Sequence, residues 1–137
     1  MADAEAAVIS VITAGGAWTT NTNLFRGPGV GPSVNQNPYP TPCVSVLLTG
    51  GTEPINTANG AIAGQVKEYS VQVALRTNSG LYGTGRTQAQ AVWTLLHDHP
   101  AAGWSYMRCT QSAPLWFKVE SNNEHIFIIN VRLGILE

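Results

Sequence analysis

Charge is scarce in this sequence. Its 137 residues include 7 Lys or Arg and 8 Asp or Glu, so that 11% are charged and the formal net charge is −1. An ordinary soluble domain carries about 25%. No run of either sign occurs, which leaves no electrostatic footprint for duplex DNA, RNA or anionic lipid, and sequence-specific nucleic-acid binding is not expected. Long apolar runs are missing too: nothing approaches the roughly 20 residues of a bilayer-spanning helix, so no membrane partner is expected. The start, Met1-Ala2-Asp3-Ala4-Glu5, is acidic where a secretory leader is basic, and the expectation is a soluble protein made in the cytoplasm. Cysteine is limited to Cys43 and Cys109, neither with a Cys or His at zinc-ligand spacing. Both read as buried free thiols, with a disulfide left open.

What replaces the missing charge is neutral: Thr, Asn, Gln, Ser, Gly and Pro, beside an ordinary apolar fraction of 44%. A surface with few ions loses little hydration when it is covered, so this composition suits a protein packed against neighbours. The length fits one domain over residues 1–137 with one core, burying roughly two thirds of the extended-chain surface.

Apolar spacing predicts a helix from Asp3 to Thr13, capped by Asp3, with Ala4, Val8, Val11 and Ile12 on one face and Gly15-Gly16 as its stop. Leu24 to Arg26 reads as a short strand. Residues 27 to 42 hold three glycines and five prolines; proline lacks a donor, so this segment should run extended over the surface. Cys43 to Leu48 reads as a buried strand, and residues 49 to 64 as a second charge-poor loop with Glu53 as its one charge. From Glu68 to Arg76 the residues alternate: Tyr69, Val71, Val73 and Leu75 against Glu68, Ser70, Gln72 and Arg76. Residues 85 to 98 switch to helical spacing, with Ala89, Val92, Trp93 and Leu96 on one stripe and a capping box in Thr87 and Gln90. Three strands close the chain: Trp104 to Gln111, Leu115 to Glu120 and Ile126 to Leu133, the last two joined as a hairpin. The order α-β-β-β-α-β-β-β implies an α+β fold, with a largely antiparallel or mixed sheet and two helices on one face.

Few segments could carry chemistry. Gly80-Leu81-Tyr82-Gly83-Thr84-Gly85-Arg86-Thr87 matches a phosphate-binding loop except that Arg86 stands where the lysine belongs. Arginine is planar and bulkier, and the fold lacks the further βα units of a nucleotide site, so a Gly-rich turn into a helix is the better reading and a small nucleotide-binding protein the minor one. The cluster Gly27 to Pro32 has prolines where a phosphate needs N–H donors. His97 and His99, two apart, do not share a helical face for a metal, and a place at the helix C-terminus suits them. No nucleophile elbow, triad or carboxylate pair stands out. No catalytic residue, cofactor or metal is expected.

Several features together resemble the tail terminator proteins of long-tailed bacteriophages, often described as minor capsid or tail completion proteins. The resemblance spans nearly the whole chain. It rests on the short N-terminal helix, the approach Asn37-Pro38-Tyr39-Pro40-Thr41-Pro42 into the strand Cys43 to Leu47, the alternating strand Glu68 to Arg76, the Gly-rich turn into helix 85 to 98, and the closing hairpin Leu115 to Leu133. It implies a virion protein of the tail or neck, assembled in the host cytoplasm. Such a protein forms a homo-hexameric ring on the tail tube protein, ends tube polymerisation, and joins the tail to the head connector or head-completion protein around a lumen that passes DNA. A head-completion or neck adaptor role is the nearest alternative. In a surface this neutral, each scarce charge can set register with a partner. Together with the two long loops, this marks Arg26, Tyr39, Glu53, Ile55, Lys67, Arg76, Tyr82 and Arg86 as candidate interface residues.

Overall fold

The computed structural model describes residues 3–27, 42–51, 55–56, 65–78, 80–120 and 123–136, and everything below concerns these. Helix α1, Ala4–Ala14, starts where the Asp3 carboxylate accepts the Ala6 N–H at 3.0 Å and ends at Gly15. Strands β1 (Leu24–Arg26), β2 (Cys43–Gly51), β3 (Ile55–Asn56) and β4 (Gln65–Arg76) precede helix α2, Tyr82–Leu96. Strands β5 (Tyr106–Cys109), β6 (Leu115–Val119) and β7 (His125–Leu136) follow it.

All strands join one mixed sheet in the order β1-β2-β4-β7-β5, with β3 added beside β4 and β6 beside β7. Only β1 and β2 run parallel; the other pairings are antiparallel. The expected α+β fold with both helices on one face is therefore present, with Ile55–Asn56 as an additional two-residue strand inside the segment 49 to 64. That segment also begins later than expected. Strand β2 passes Leu48 through a bulge at Thr49 and continues to Gly51, which faces Tyr69.

The core lies between sheet and helices. Val44 and Val46 of β2, Val71, Val73 and Leu75 of β4, and Phe127, Ile129, Val131 and Leu133 of β7 pack against Val8 and Ile12 of α1 and Ala89, Val92 and Leu96 of α2. The alternation of β4 is the cause: its odd-numbered residues meet the helices, and its even-numbered ones form the opposite face. That face is not wholly wet. Ala74, Ile126 and Ile128 form a second small buried cluster there, beside buried Cys43 and Ser45. Cys43 lies on this face and Cys109 on the helix side, since they register with Arg76 and Val131. Both thiols are free and the sheet separates them.

Helix α2 departs from expectation at its start. It begins at Tyr82, three residues before the spacing implied, and its N-cap is Leu81 with no side-chain hydrogen bond. The capping box does not form, because Thr87 already lies inside the helix and its hydroxyl donates to the Gly83 carbonyl at 3.1 Å. Gly85 explains why glycine is needed here. A methyl group at this position would run into Thr77 Cγ2 and touch Phe127, so glycine lets the first turn lie directly on the sheet.

Candidate assembly surface

The outer edge of β7 is filled by two strands laid end to end. Strand β5 pairs with residues 131 to 134 and β6 with residues 125 to 128. Between them the Gln111 side chain takes over the role of a strand: its amide donates to the Ile128 carbonyl at 2.9 Å, and its carbonyl accepts the Asn130 N–H at 3.2 Å. Strands β5 and β6 thereby make one continuous sheet edge, and no strand among the described residues pairs with its outer side.

All five residues of β6 are exposed although four are apolar. Leu115 is 54% exposed, Trp116 44%, Phe117 57% and Val119 45%. The start of α2 adds Leu81 and Tyr82. His125 links the two groups: Tyr82 meets its ring edge-on at 5.2 Å, and Trp116 Nε1–H donates to its Nδ1 at 3.0 Å. Single exposed apolar residues are ordinary, but six gathered at one end of a molecule are not. From their fractional exposures, together they leave on the order of 600 Å² uncovered, divided between the helix side of the edge, with Leu81, Tyr82, Trp116 and Val119, and the helix-free side, with Leu115 and Phe117. Trp and Tyr are also the side chains that most often anchor protein contacts.

The edge itself is guarded. Pro114 precedes β6, Lys118 sits within it, and a bulge falls between Trp116 and Lys118. These features discourage indiscriminate strand addition, so contact here is made by side chains more than by backbone. On the helix-free face Phe117 borders a concavity of about 320 Å³ whose floor is Ala74, Ile126 and Ile128. Arg76 stands on its wall, 11% exposed, held by Glu124 at 2.9 Å and Glu120 at 3.8 Å.

The sequence-derived candidates fall in different places. Tyr82 belongs to the apolar patch, and Arg86 is exposed one turn further along α2. Arg76 lies beneath β6 as described. Arg26, at the far edge, closes α1 onto the sheet: its Nη2–H donates to Asp3 at 2.6 Å and its Nε–H to Glu5 at 2.7 Å, and the hydrogen bonds hold the Asp3 carboxyl below its usual range. Lys67 is half-buried on the helix side of β4. Ile55 pairs through its backbone with Val66. Tyr39 and Glu53, with most of both long loops, lie outside the described residues. Leu115, Trp116, Phe117 and Val119 were missed. The available signal was a five-residue strand, Leu-Trp-Phe-Lys-Val, without apolar-polar alternation, because a strand apolar on both faces must be covered on both.

The other motifs have structural roles. Residues 82 to 87 are helix, and the Gly85 N–H donates to the Leu81 carbonyl at 2.9 Å, so the glycines do not form a cradle of free amides. His97 caps α2, stacks on Trp93 at 4.7 Å, and accepts the Cys109 N–H on Nδ1 at 3.1 Å.

No protein-family model matches the chain, and no curated protein does. A solved structure does: a chain from the "Virion of native gene transfer agent (GTA) particle", 15% identical, covering 98% of this chain and 95% of that one, with a TM-score of 0.64. At this identity the likeness is one of fold, and it extends over essentially the whole of both chains.

Proposed function

We propose that this chain is a non-catalytic structural protein of a phage-like virion, and that it caps the tail tube. It would form a homo-hexameric ring on the tube, end tube polymerisation, and present its other face to the head connector or head-completion protein. The observation that carries this reading is the uncovered apolar edge of β6 and α2, in a protein whose fold is shared along its full length with a chain of a virion particle. Contiguous exposed apolar surface of this kind marks a place of contact with other protein. The low charge supports the same conclusion, since a neutral surface is desolvated with little loss on assembly.

Tail-tube protein polymerising alone and with this protein provides the test, read as tube length in electron micrographs. A terminator shortens the tubes in proportion to its concentration and decorates one end. Unchanged lengths with bound protein would favour a neck adaptor, and no binding at all would reject a place at the tube.

A further inference from the structure

The helix-free face divides along its length. Around Ala74, Ile126 and Ile128 it is apolar; towards β5 it is polar, and there Arg108 of β5 and Arg132 of β7 stand directly opposite each other. Both are exposed. Residues paired in this way have Cα atoms about 5.5 Å apart, and like charges so placed repel. Neither arginine lies in a basic run, so only the pairing of the strands brings the two charges together.

The two guanidinium groups are held in place but not neutralised. Gly134, opposite Tyr106, leaves room for the Tyr106 ring to lie on the sheet, where a methyl group would collide with it. The far end of the ring is fixed by its hydroxyl, which donates to Glu68 Oε2. Arg108 lies over this ring at 5.6 Å, within the range of a cation–π contact. Among the described residues Arg108 meets no carboxylate, and Arg132 meets only that of Glu68, 3.9 Å away and already bound by the Tyr106 hydroxyl. These four side chains and Thr110 line a concavity of about 490 Å³. Beyond Arg132 the surface continues through neutral Asn130.

We propose that Arg108 and Arg132 clasp a phosphate group. A single bidentate arginine satisfies both oxygens of a carboxylate, whereas a phosphate offers enough oxygens for two guanidinium groups at once. Hydroxyl and amide side chains, here Thr110 and Asn130, are the usual further partners of phosphate oxygens. The anion also removes the repulsion between the two arginines, which nothing in the chain itself offsets in full. The phosphates of a nucleic-acid backbone and free phosphate share this chemistry.

NMR of the arginine Nε–Hε groups tests the site, with inorganic phosphate, a short DNA duplex and acetate as probes at equal ionic strength. Inorganic phosphate should shift Arg108 and Arg132 saturably at millimolar concentration and leave Arg86, exposed on α2, unmoved. Acetate should not reproduce the effect. Arg108→Gln removes an exposed side chain bound to no acid, so circular dichroism should show it folded as the wild type, and its phosphate affinity should fall about 10-fold. A duplex that saturates the same signals at lower concentration than inorganic phosphate identifies the nucleic-acid backbone as the source; one that leaves them unmoved identifies a free phosphate. No saturable shift, equal shifts with acetate, shifts shared by Arg86, or an Arg108→Gln variant that binds like the wild type would each overturn the proposal.

Discussion

Gly85 offers a quantitative check on why this chain carries glycines at the start of α2. In Gly85→Ala the added methyl overlaps Thr77 Cγ2. Thr77 is only 1% exposed and cannot swing aside, because its hydroxyl donates to the Asn78 carbonyl and accepts the His125 N–H, both at 2.9 Å. Overpacking of this kind costs about 1–3 kcal/mol. The substitution also removes a helix-interior glycine, which returns about 1 kcal/mol. Because Thr77 is fixed, the upper half of the overpacking range applies, about 2–3 kcal/mol, and the net expectation is a loss of about 1–2 kcal/mol, or a Tm lower by about 3–8 °C for a domain of this length. Gly83→Ala is the control. Gly83 is exposed with nothing near its missing methyl, so the helix term acts alone and stability should rise by about 0.5–1 kcal/mol. Calorimetric melting of the two variants beside the wild type decides the matter. If Gly85→Ala melts at or above the wild type, close packing is not the reason for glycine there, and the account of this segment is wrong.

Other expectations follow from the same contacts. Arg76→Ala leaves Glu124, 13% exposed, without its guanidinium, and urea unfolding should show a loss of about 3 kcal/mol. Burial pushes the Cys43 thiol to about 11 and the Cys109 thiol to about 12, so at pH 8 a disulfide reagent should react about 100-fold more slowly with the native protein than with the guanidinium-unfolded chain. Burial, then the hydrogen bond to Glu68, also raises Tyr106 to about 12. These three groups hold their protons longer folded than unfolded, so their contribution is complete below pH 9 and falls as pH rises towards 11–12. The urea midpoint should therefore be lower at pH 10.5 than at pH 8.

The body of the fold was legible because its elements obey simple periodicities. Strand β4 alternates from Glu68 to Arg76 and was read correctly, as was the stripe Ala89, Val92, Trp93 and Leu96 of α2. The start of α2 was misread because glycine is intrinsically poor in helices; its reason for being there, contact with Thr77 and Phe127, is tertiary. The bulge that carries β2 to Gly51 depends on pairing with β4, which local sequence does not reveal. The apolar patch was seen only through Tyr82. Sequence marks Leu115 to Val119 as a strand, but that this strand lies at the sheet edge, beside the N-terminus of α2, follows from topology. Conversely, scarcity of charge singled out Arg26 and Arg76, whose guanidinium groups bind acids of their own chain.

The claim on which the account depends is that β6 and the first turn of α2 are covered by protein in the finished assembly. Hydroxyl-radical footprinting of Trp116, Phe117 and Tyr82, in the free protein and in purified particles that contain it, measures this directly. Strong protection of these side chains in the particle is the predicted result; equal oxidation in both samples would contradict it.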